Sequence, residues 1–234
     1  MEEALLNLLA SLDLPHDQAT MDKFSLYADL VAEWNEKMNL TAIVDKDEVY
    51  QKHFIDCVLT AKSYDFSGKT VLDIGSGAGF PGLVIALIYP SAKVTLVDAT
   101  AKKFIFLKEV VSRLNLTNVE FAVGRIEDRP VKLCSFDCAI SRGFAMLPIF
   151  IEVASPFVKL GGTVFAMKGA KGKEEYLGAK AIMDRYGLRM ASLAYETLPG
   201  GDERVNIMYR KEKATPRKYP RKWDIIVKEY KPHG

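Results

Sequence analysis

Apolar residues are spaced in two different ways along the chain, and the change falls near residue 68. Before it, apolar positions recur at intervals of three and four residues, as over 24–34, and no glycine interrupts them. This spacing is typical of amphipathic helices. After residue 68, short apolar runs alternate with longer amphipathic stretches. We therefore predict a helical N-terminal extension over 1–67, followed by a domain of strands and helices over 68–211.

Seven apolar runs in the second part have the length of strands, at 71–74, 94–97, 119–123, 136–140, 163–167, 190–197 and 204–209. Most are separated by amphipathic stretches that predict helices, at 82–89, 101–114, 146–158 and 173–186. Strands joined by helices form parallel sheets with right-handed crossovers. The last two strands follow each other directly. The pattern predicts an α/β fold whose seven-stranded sheet is mostly parallel, with an antiparallel strand at its edge.

Basic residues concentrate near the C-terminus, although the net charge of the chain is only +2. Residues 210–222 contain seven basic side chains and one acidic side chain. Such a cluster can contact the phosphates of a nucleic acid, but basic tails that only keep a protein soluble are also common. Because three prolines lie in polar surroundings after residue 211, we expect an extended or mobile tail over 212–234.

The composition excludes several classes of protein. Three cysteines are too few for a disulfide framework, and their neighbourhoods offer no further metal ligands. No apolar run approaches the ~20 residues that span a bilayer, and the acidic N-terminus is unlike a signal peptide. We expect a cytoplasmic monomer that binds neither metal nor membrane.

A glycine-rich turn follows the first predicted strand and is the most informative motif. Asp73 is followed by glycines at alternate positions, Gly75, Gly77 and Gly79. A dinucleotide fingerprint, G-x-G-x-x-G, fails when it is counted from Gly75, because its sixth position is Phe80. Counted from Gly77 it matches, but this frame starts two residues late after the strand. An acidic residue followed by alternating glycines is instead the first motif of Rossmann-like S-adenosylmethionine-dependent methyltransferases. In that frame the glycines let the backbone approach the cofactor, and Asp73 can anchor its ammonium group.

The ends of the next strands supply further candidates for a nucleoside site. Asp98 ends the second strand, where a carboxylate accepts both hydroxyls of a ribose. Ile126 and Glu127 follow the third strand and are candidates for the adenine ring and its edge. Arg142 follows the fourth strand and places a cation at the mouth of the site. Asp98 fits the ribose of either a dinucleotide or S-adenosylmethionine, so it does not distinguish the two cofactors.

Several further motifs are similar to those of one known family. They are Trp34-Asn35, His53-Phe54-Ile55-Asp56, the Phe80-Pro81-Gly82 that ends the glycine turn, Gly124-Arg125-Ile126-Glu127 and Ser141-Arg142-Gly143-Phe144. With these motifs the chain resembles, from about residue 34 to 221, the bacterial 16S ribosomal RNA guanine-N7 methyltransferases. This is the RsmG-type family, formerly called glucose-inhibited division protein B.

The resemblance implies a class I methyltransferase fold that uses S-adenosyl-L-methionine and modifies one guanosine of 16S ribosomal RNA or the small ribosomal subunit. The cofactor contacts that the resemblance implies are Gly75, Phe80, Asp98, Ile126, Glu127 and Arg142. The chain departs from the family after Lys222, where Trp223-Asp224-Ile225 replaces a proline–glycine basic segment. We therefore expect no RNA contacts beyond Lys222.

Methylation of guanine N7 requires no general base, because N7 has a free lone pair. We expect catalysis by positioning, with no dedicated catalytic residue. Arg142 and Phe144 are the candidates closest to the reaction, and the target base would stack on Phe144 or Phe80. The residues expected to hold RNA phosphates are basic, namely Arg125, Lys168, Arg204, Lys211, Arg217, Lys218 and Arg221.

Two other functions remain open from the sequence. One is a non-catalytic ribosome-assembly factor that binds RNA through the same fold. The other is a nicotinamide-dependent oxidoreductase, which Asp73 and the failed dinucleotide frame disfavour.

Overall fold

The computed structural model describes residues 1–43 and 45–230. Val44 and the last four positions of the predicted tail, 231–234, lie outside the described residues. Helices α1 (Glu2–Ser11) and α2 (Gln18–Met38) come first. A continuous helical run follows, formed by α3 (Lys46–Val49), a π-helical segment (Tyr50–Ile55), α4 (Asp56–Val58) and a 3-10 turn (Leu59–Lys62). The N-terminal region is therefore helical, as its spacing predicts.

The strands are β1 (Thr70–Ile74), β2 (Lys93–Asp98), β3 (Val119–Val123), β4 (Phe136–Arg142), β5 (Val158–Lys168), β6 (Leu188–Thr197) and β7 (Glu203–Lys211). The helices between them are α5 (Gly82–Ile88), α6 (Lys103–Arg113), α7 (Leu147–Ala154) and α8 (Gly172–Ala179). Strand β5 begins five residues before the predicted start, because the turn at 160–162 lies inside the strand and does not precede it.

One seven-stranded sheet contains these strands, in the order β3-β2-β1-β4-β5-β7-β6. Strands β1 to β5 pair in parallel, and β7 runs antiparallel to both β5 and β6. The predicted α/β fold and mostly parallel sheet are confirmed. The antiparallel strand β7 lies one position inside the edge, and β6 is the edge strand.

The two faces of the sheet carry two hydrophobic clusters. One joins the N-terminal helices to α5, α6 and the adjoining face of the sheet, with Tyr27 and Phe54 packed against Phe80 and Phe24 against Phe54. The other joins α7 and the C-terminal residues to the opposite face. The N-terminal helices thus share a core with the sheet, while the division into parts at residues 67 and 211 stays a prediction.

The described part of the predicted tail is not extended throughout. Residues 223–230 form helix α9 (Trp223–Tyr230), which packs against α7 and buries Ile226 completely. Tyr219, just before it, is also buried. The expectation of an extended or mobile tail is wrong for these residues, because the apolar side chains around Ile226 find a partner on α7. Among the described residues, no helix has the length and apolar character needed to cross a membrane.

Lys211, which the sequence analysis assigns to RNA, is buried at the end of β7 with 1% of its surface exposed. Its Nζ donates to the carbonyl oxygens of Ser155 and Val158, the second at 2.8 Å. Burial lowers the pKa of its ammonium group. A phosphate of an RNA cannot reach this atom without unfolding the strand end. Lys211 therefore holds β7 to the turn after α7, and its geometry contradicts the predicted RNA contact.

We expect Lys211→Met to destabilise the fold. The substitution fills most of the same volume but removes both hydrogen bonds to buried carbonyls, which should lower the free energy of unfolding by about 2 kcal/mol. Lys213→Met, at an exposed position two residues away, should change it by less than about 0.5 kcal/mol. Urea denaturation of both variants measures the difference. Equal stability of Lys211→Met and the wild type would contradict the structural role.

Candidate functional site: two adjoining cavities

The glycine turn holds an unusual backbone conformation at the carboxyl end of β1. Gly75, Gly77 and Gly79 have positive φ values of +73°, +56° and +91°. The N–H of Gly75 donates to the carbonyl of Val97 at 2.8 Å, and that of Gly77 donates to the carboxylate of Asp98 at 3.0 Å. Only glycine adopts such angles at little energetic expense. The alternating glycines therefore shape the turn and tie it to the end of β2.

A cavity of about 280 Å³ opens beside this turn, at the carboxyl ends of the parallel strands. Its lining includes Gly75, Asp98, Ile126 and Glu127, four residues that the sequence predicts for a nucleoside. Ile126 and Glu127 lie in a 3-10 turn after β3. The volume is close to the ~300 Å³ at which small-molecule sites begin. Crevices at this edge of an open parallel sheet are where such folds bind ligands.

The donor and acceptor groups in this first cavity fit the adenosine part of S-adenosylmethionine. Asp98 accepts from the N–H groups of Gly77 and Thr100 and from Nζ of Lys103, at 2.8–3.0 Å. A carboxylate has about four acceptor positions, so one remains. Lys103 is partly exposed and can move aside for a second. Ile126 is 3% exposed and supplies an apolar surface for a ring.

Asp73 lies underneath the turn and does not line the cavity. Its Oδ2 accepts the N–H of Gly82 at 2.8 Å, and its Oδ1 is buried with no partner among the described residues. Burial, opposed by the Gly82 hydrogen bond, raises the pKa of this carboxyl to about 7. The geometry gives Asp73 a clear role in holding the start of α5. Its predicted contact with the cofactor ammonium group stays a prediction.

A second cavity of about 570 Å³, lined by more charged side chains, adjoins the first. The two share Gly143 and Phe144, the residues that follow β4. The ring of Phe144 rests on the glycine turn so closely that a Cβ on Gly75 would come within 2.4 Å of it. Phe144 therefore forms a partition between the two cavities. Arg142 faces the second cavity and not the first.

An ion cluster in the second cavity joins three distant parts of the chain. Oδ2 of Asp56, whose side chain is 4% exposed, accepts from Arg142 at 3.2 Å and from Arg204 at 3.1 Å. Arg142 also donates to the carbonyl of Lys52 at 2.8 Å. Arg204 also lies 3.9 Å from Asp202, and the whole cavity lining carries four basic against three acidic side chains, so one positive charge remains in excess. A half-buried cation of this kind attracts an anionic ligand.

His53 supports this cluster in its neutral form. Its Nδ1 lies 3.0 Å from Nη2 of Arg142, which can only donate, and 3.0 Å from the carbonyl oxygen of Lys52. Because that oxygen already accepts from Nη1 of Arg142 at 2.8 Å, we assign Nδ1 as the acceptor from Arg142. The other nitrogen, Nε2, then carries the hydrogen and lies 3.1 Å from Oγ1 of Thr41. Burial, followed by the charge of Arg142, lowers the pKa of His53 to about 3. His53 therefore orients Arg142 and carries no charge near neutral pH.

Phe80, Gly77 and Gly79 lie outside both cavities. Phe80 is 4% exposed, its ring stacks on Tyr27 at 5.1 Å, and the guanidinium of Arg142 lies 5.1 Å above it. A base cannot stack on a ring enclosed in this way, which leaves Phe144 as the aromatic candidate. Phe80 supports Arg142 from below, while Gly77 and Gly79 shape the turn.

The remaining basic residues predicted for RNA fall into two groups. Lys168 and Arg204 line the second cavity, where Lys168 pairs with Glu175 at 2.8 Å. Arg125 lies at the rim of the first cavity. These three residues surround the paired cavities, so the structure brings together residues that are far apart in sequence.

The residues of the C-terminal segment are placed differently. Arg217 and Lys218 are exposed before α9. Arg221 instead reaches inward, where its Nε donates to the fully buried Glu152 at 2.8 Å. It also pairs with Glu229. Arg221 therefore anchors the segment to α7, and its guanidinium is already engaged by two carboxylates.

Two side chains of the site escape sequence reasoning. Tyr27, in α2, donates its hydroxyl hydrogen to the carbonyl of Ala78 at 2.6 Å and thereby supports the glycine turn. Its helical spacing indicates only a core position. Trp223 lines the first cavity, although the departure from the family pattern after Lys222 suggests no role there. No signal in the sequence marks either contact. Within the described residues, no cluster of side chains could hold a metal ion.

Replacing His53 by Asn should remove part of the acid sensitivity of folding. The unfolded chain takes up a proton at His53 near pH 6.5 and the folded chain only near pH 3, so stability is lost as the pH falls between these values. Linkage gives the wild type an extra loss of about 2 kcal/mol between pH 7 and pH 5. Urea unfolding of both proteins at both pH values measures this. An identical pH dependence would contradict a neutral, buried His53.

Comparison with known families covers most of the chain. The family model described as "GidB: rRNA small subunit methyltransferase G" matches residues 20–196. Two curated proteins named ribosomal RNA small subunit methyltransferase G, from Bacillus cytotoxicus and Clostridium perfringens, are each 40% identical to this chain. The first alignment covers 86% of this chain and 87% of its relative, and the second covers 94% of both.

Solved structures show the same fold. A SAM-dependent methyltransferase from Aquifex aeolicus matches with a TM-score of 0.54 and 20% identity, over 69% of this chain and 92% of that one. M. jannaschii TYW2 in complex with AdoMet also gives 0.54, with 18% identity, over 69% and 77%. The predicted Rossmann-like methyltransferase fold is thus confirmed. The family match and the identity with the curated relatives together show that this chain belongs to the rRNA small subunit methyltransferase G family.

Proposed function

We propose that this protein transfers the methyl group of S-adenosylmethionine to N7 of one guanosine in 16S ribosomal RNA. The observation that carries the proposal is the pair of adjoining cavities separated only by Gly143 and Phe144. One has the carboxylate and apolar surface that suit an adenosine, and the other has the positive charge that suits RNA. Methyl transfer needs N7 about 3 Å from the methyl carbon and in line with the sulfur, so the donor and acceptor sites have to meet, as the two cavities do at Gly143 and Phe144.

The first cavity would hold the cofactor through residues at the carboxyl ends of β1, β2 and β3. When bound, S-adenosylmethionine supplies an electrophilic methyl group. Asp98 would accept the ribose hydroxyls, Ile126 would contact the adenine face, and Glu127 would contact its edge. The glycine turn around Gly75 would lie against the amino-acid part. These residues bind and orient, and none of them needs to exchange a proton.

The second cavity would hold the target base. Arg142 and Arg204 are fixed by their shared carboxylate, Asp56, and can donate to guanine O6 or to a neighbouring phosphate. The base would stack on Phe144 after leaving its neighbours in the RNA. N7 carries a free lone pair, so positioning of the base supplies most of the rate enhancement. Lys168, together with Arg125 at the rim, would contact flanking phosphates.

The exposed basic residues before α9 extend this RNA surface. Arg217 and Lys218 would contact phosphates farther from the base, whereas Arg221 and Lys211 are already engaged within the protein. We propose a monomer that acts in the cytoplasm on the RNA or on the small subunit.

A non-catalytic RNA-binding assembly factor is the second candidate. Such a protein would have no need of an open first cavity with Asp98 and Glu127 in place, so the intact cavity favours the enzyme. A nicotinamide oxidoreductase is disfavoured by the family match and by the glycine frame.

The acceptor atom can be tested directly with RNA that lacks it. Purified protein, labelled S-adenosylmethionine and small-subunit RNA should give incorporation at one guanosine, mapped by chain cleavage at 7-methylguanosine. The same RNA transcribed with 7-deazaguanosine carries C–H in place of N7 and should accept no label. Labelling of the 7-deaza RNA would overturn the N7 assignment. Binding of RNA without any methyl transfer would favour the assembly-factor alternative.

Asp98→Asn should weaken cofactor binding with little change in folding. The amide keeps the shape of the side chain but loses charge-assisted hydrogen bonds to the ribose, so affinity for S-adenosylhomocysteine should fall by about tenfold to a hundredfold. Asp128→Asn is the matched control, because Asp128 is exposed at the last position of the 3-10 turn after β3 and does not line the first cavity. Isothermal titration calorimetry measures both. A wild-type affinity in Asp98→Asn would show that another residue holds the ribose.

A further inference from the structure

Trp223 stands at the first position of α9 and lines the first cavity beside Phe144. The two aromatic rings meet edge to face, with centroids 5.7 Å apart and an interplanar angle of 63°. Phe144 in turn rests on Gly75. Gly75, Phe144 and Trp223 thus form one continuous packed wall of the cavity.

Contacts of the residues before and after Trp223 fix its position. Two residues before it, the backbone N–H and Nε of Arg221 both donate to Oε1 of Glu152, which is completely buried on α7. Three residues after it, Ile226 is fully buried against the same helix. The indole is therefore held over the cavity by a buried ion pair and an apolar contact.

The far end of α9 is held as well. The hydroxyl of Tyr230 lies 2.7 Å from that of Tyr186, which donates to Glu152 at 2.7 Å. Arg185 pairs with Glu229. The carboxylate of Glu152 thus receives hydrogen bonds connected to both ends of α9, so the helix docks as a unit and its position sets that of Trp223.

We propose that Trp223 is a positioning residue of the cofactor site and that α9, anchored by Arg221 and Glu152, is a fixed wall of that site. The indole presents an apolar aromatic surface to the adenosine and holds the ring of Phe144 in place. This inference rests on the proposed function, since it takes S-adenosylmethionine as the ligand of the first cavity. It assigns α9 to the cofactor site, whereas the exposed Arg217 and Lys218 before it stay with the proposed RNA surface.

Fluorescence offers a test that is independent of activity, because the chain contains only two tryptophans. Trp34 packs against Phe106 at 5.9 Å and lines neither cavity. In Trp34→Phe all tryptophan emission comes from Trp223, and S-adenosylhomocysteine should quench or shift it in a saturable way. In Trp223→Phe the emission comes from Trp34 and should not change. If the emission of Trp34→Phe does not change at saturating S-adenosylhomocysteine, the proposal is overturned.

Calorimetry measures the contribution to binding. Loss of an aromatic contact with a base weakens binding by about tenfold, so Trp223→Ala should bind S-adenosylhomocysteine about tenfold more weakly. Trp223→Phe keeps an aromatic ring and should recover most of the affinity. The matched control is Ile225→Ala on the same helix, where the side chain is 46% exposed and the affinity should stay that of the wild type.

The anchor is tested separately. Arg221→Gln keeps Trp223 but loosens its support, and it should weaken binding by a factor similar to that of Trp223→Ala. Lys222→Gln, at the exposed neighbouring position, should not. Wild-type affinity in a folded Trp223→Ala would overturn the proposal, and wild-type affinity in Arg221→Gln would overturn the anchoring role. If the wild type itself binds no S-adenosylhomocysteine, the proposed function fails and not this inference alone.

Discussion

The sharing of one buried carboxylate by two arginines is the constraint on which the acceptor side of the molecule depends. Asp56 comes from the N-terminal helical run, Arg142 from the end of β4 and Arg204 from β7. Without Asp56, the two largely buried guanidinium groups would lose the carboxylate that they share, a situation that proteins tolerate poorly. The cluster therefore locks three separate regions into one arrangement and at the same time creates the positive surface of the second cavity.

The N-terminal helices gain a functional meaning from this arrangement. The spacing of their apolar residues predicts only amphipathic helices that pack against a larger domain. In the structure they contribute the hydroxyl of Tyr27 beneath the glycine turn, and His53 and Asp56 beside Arg142. Both cavities are thus supported by the same helical layer. The N-terminal helical extension is therefore part of the site as well as of the hydrophobic core.

The fold and the first cavity were largely predictable, because their signals are local. The apolar runs define the strands, and the spacing of Gly75, Gly77 and Gly79 specifies a turn that few other residues can adopt. Asp98 and Glu127 follow strand ends, and the carboxyl ends of parallel strands meet at one edge. The inward turn of Lys211 and Arg221 was not predictable, since a basic side chain in sequence carries no information about whether a carbonyl or carboxylate lies within reach. Trp223 depends on the docking of α9, which only tertiary packing determines.

The placement of Phe144 has a consequence for how this site can vary. Its ring lines both the first and the second cavity, and it fits because residue 75 has no Cβ. A change of shape at position 144 alters both compartments at once, and any larger residue at position 75 displaces the ring. The shapes of the two cavities therefore cannot be changed independently at this position. Variation in specificity has to come from the rims, where Arg125 and Lys168 each face one compartment only.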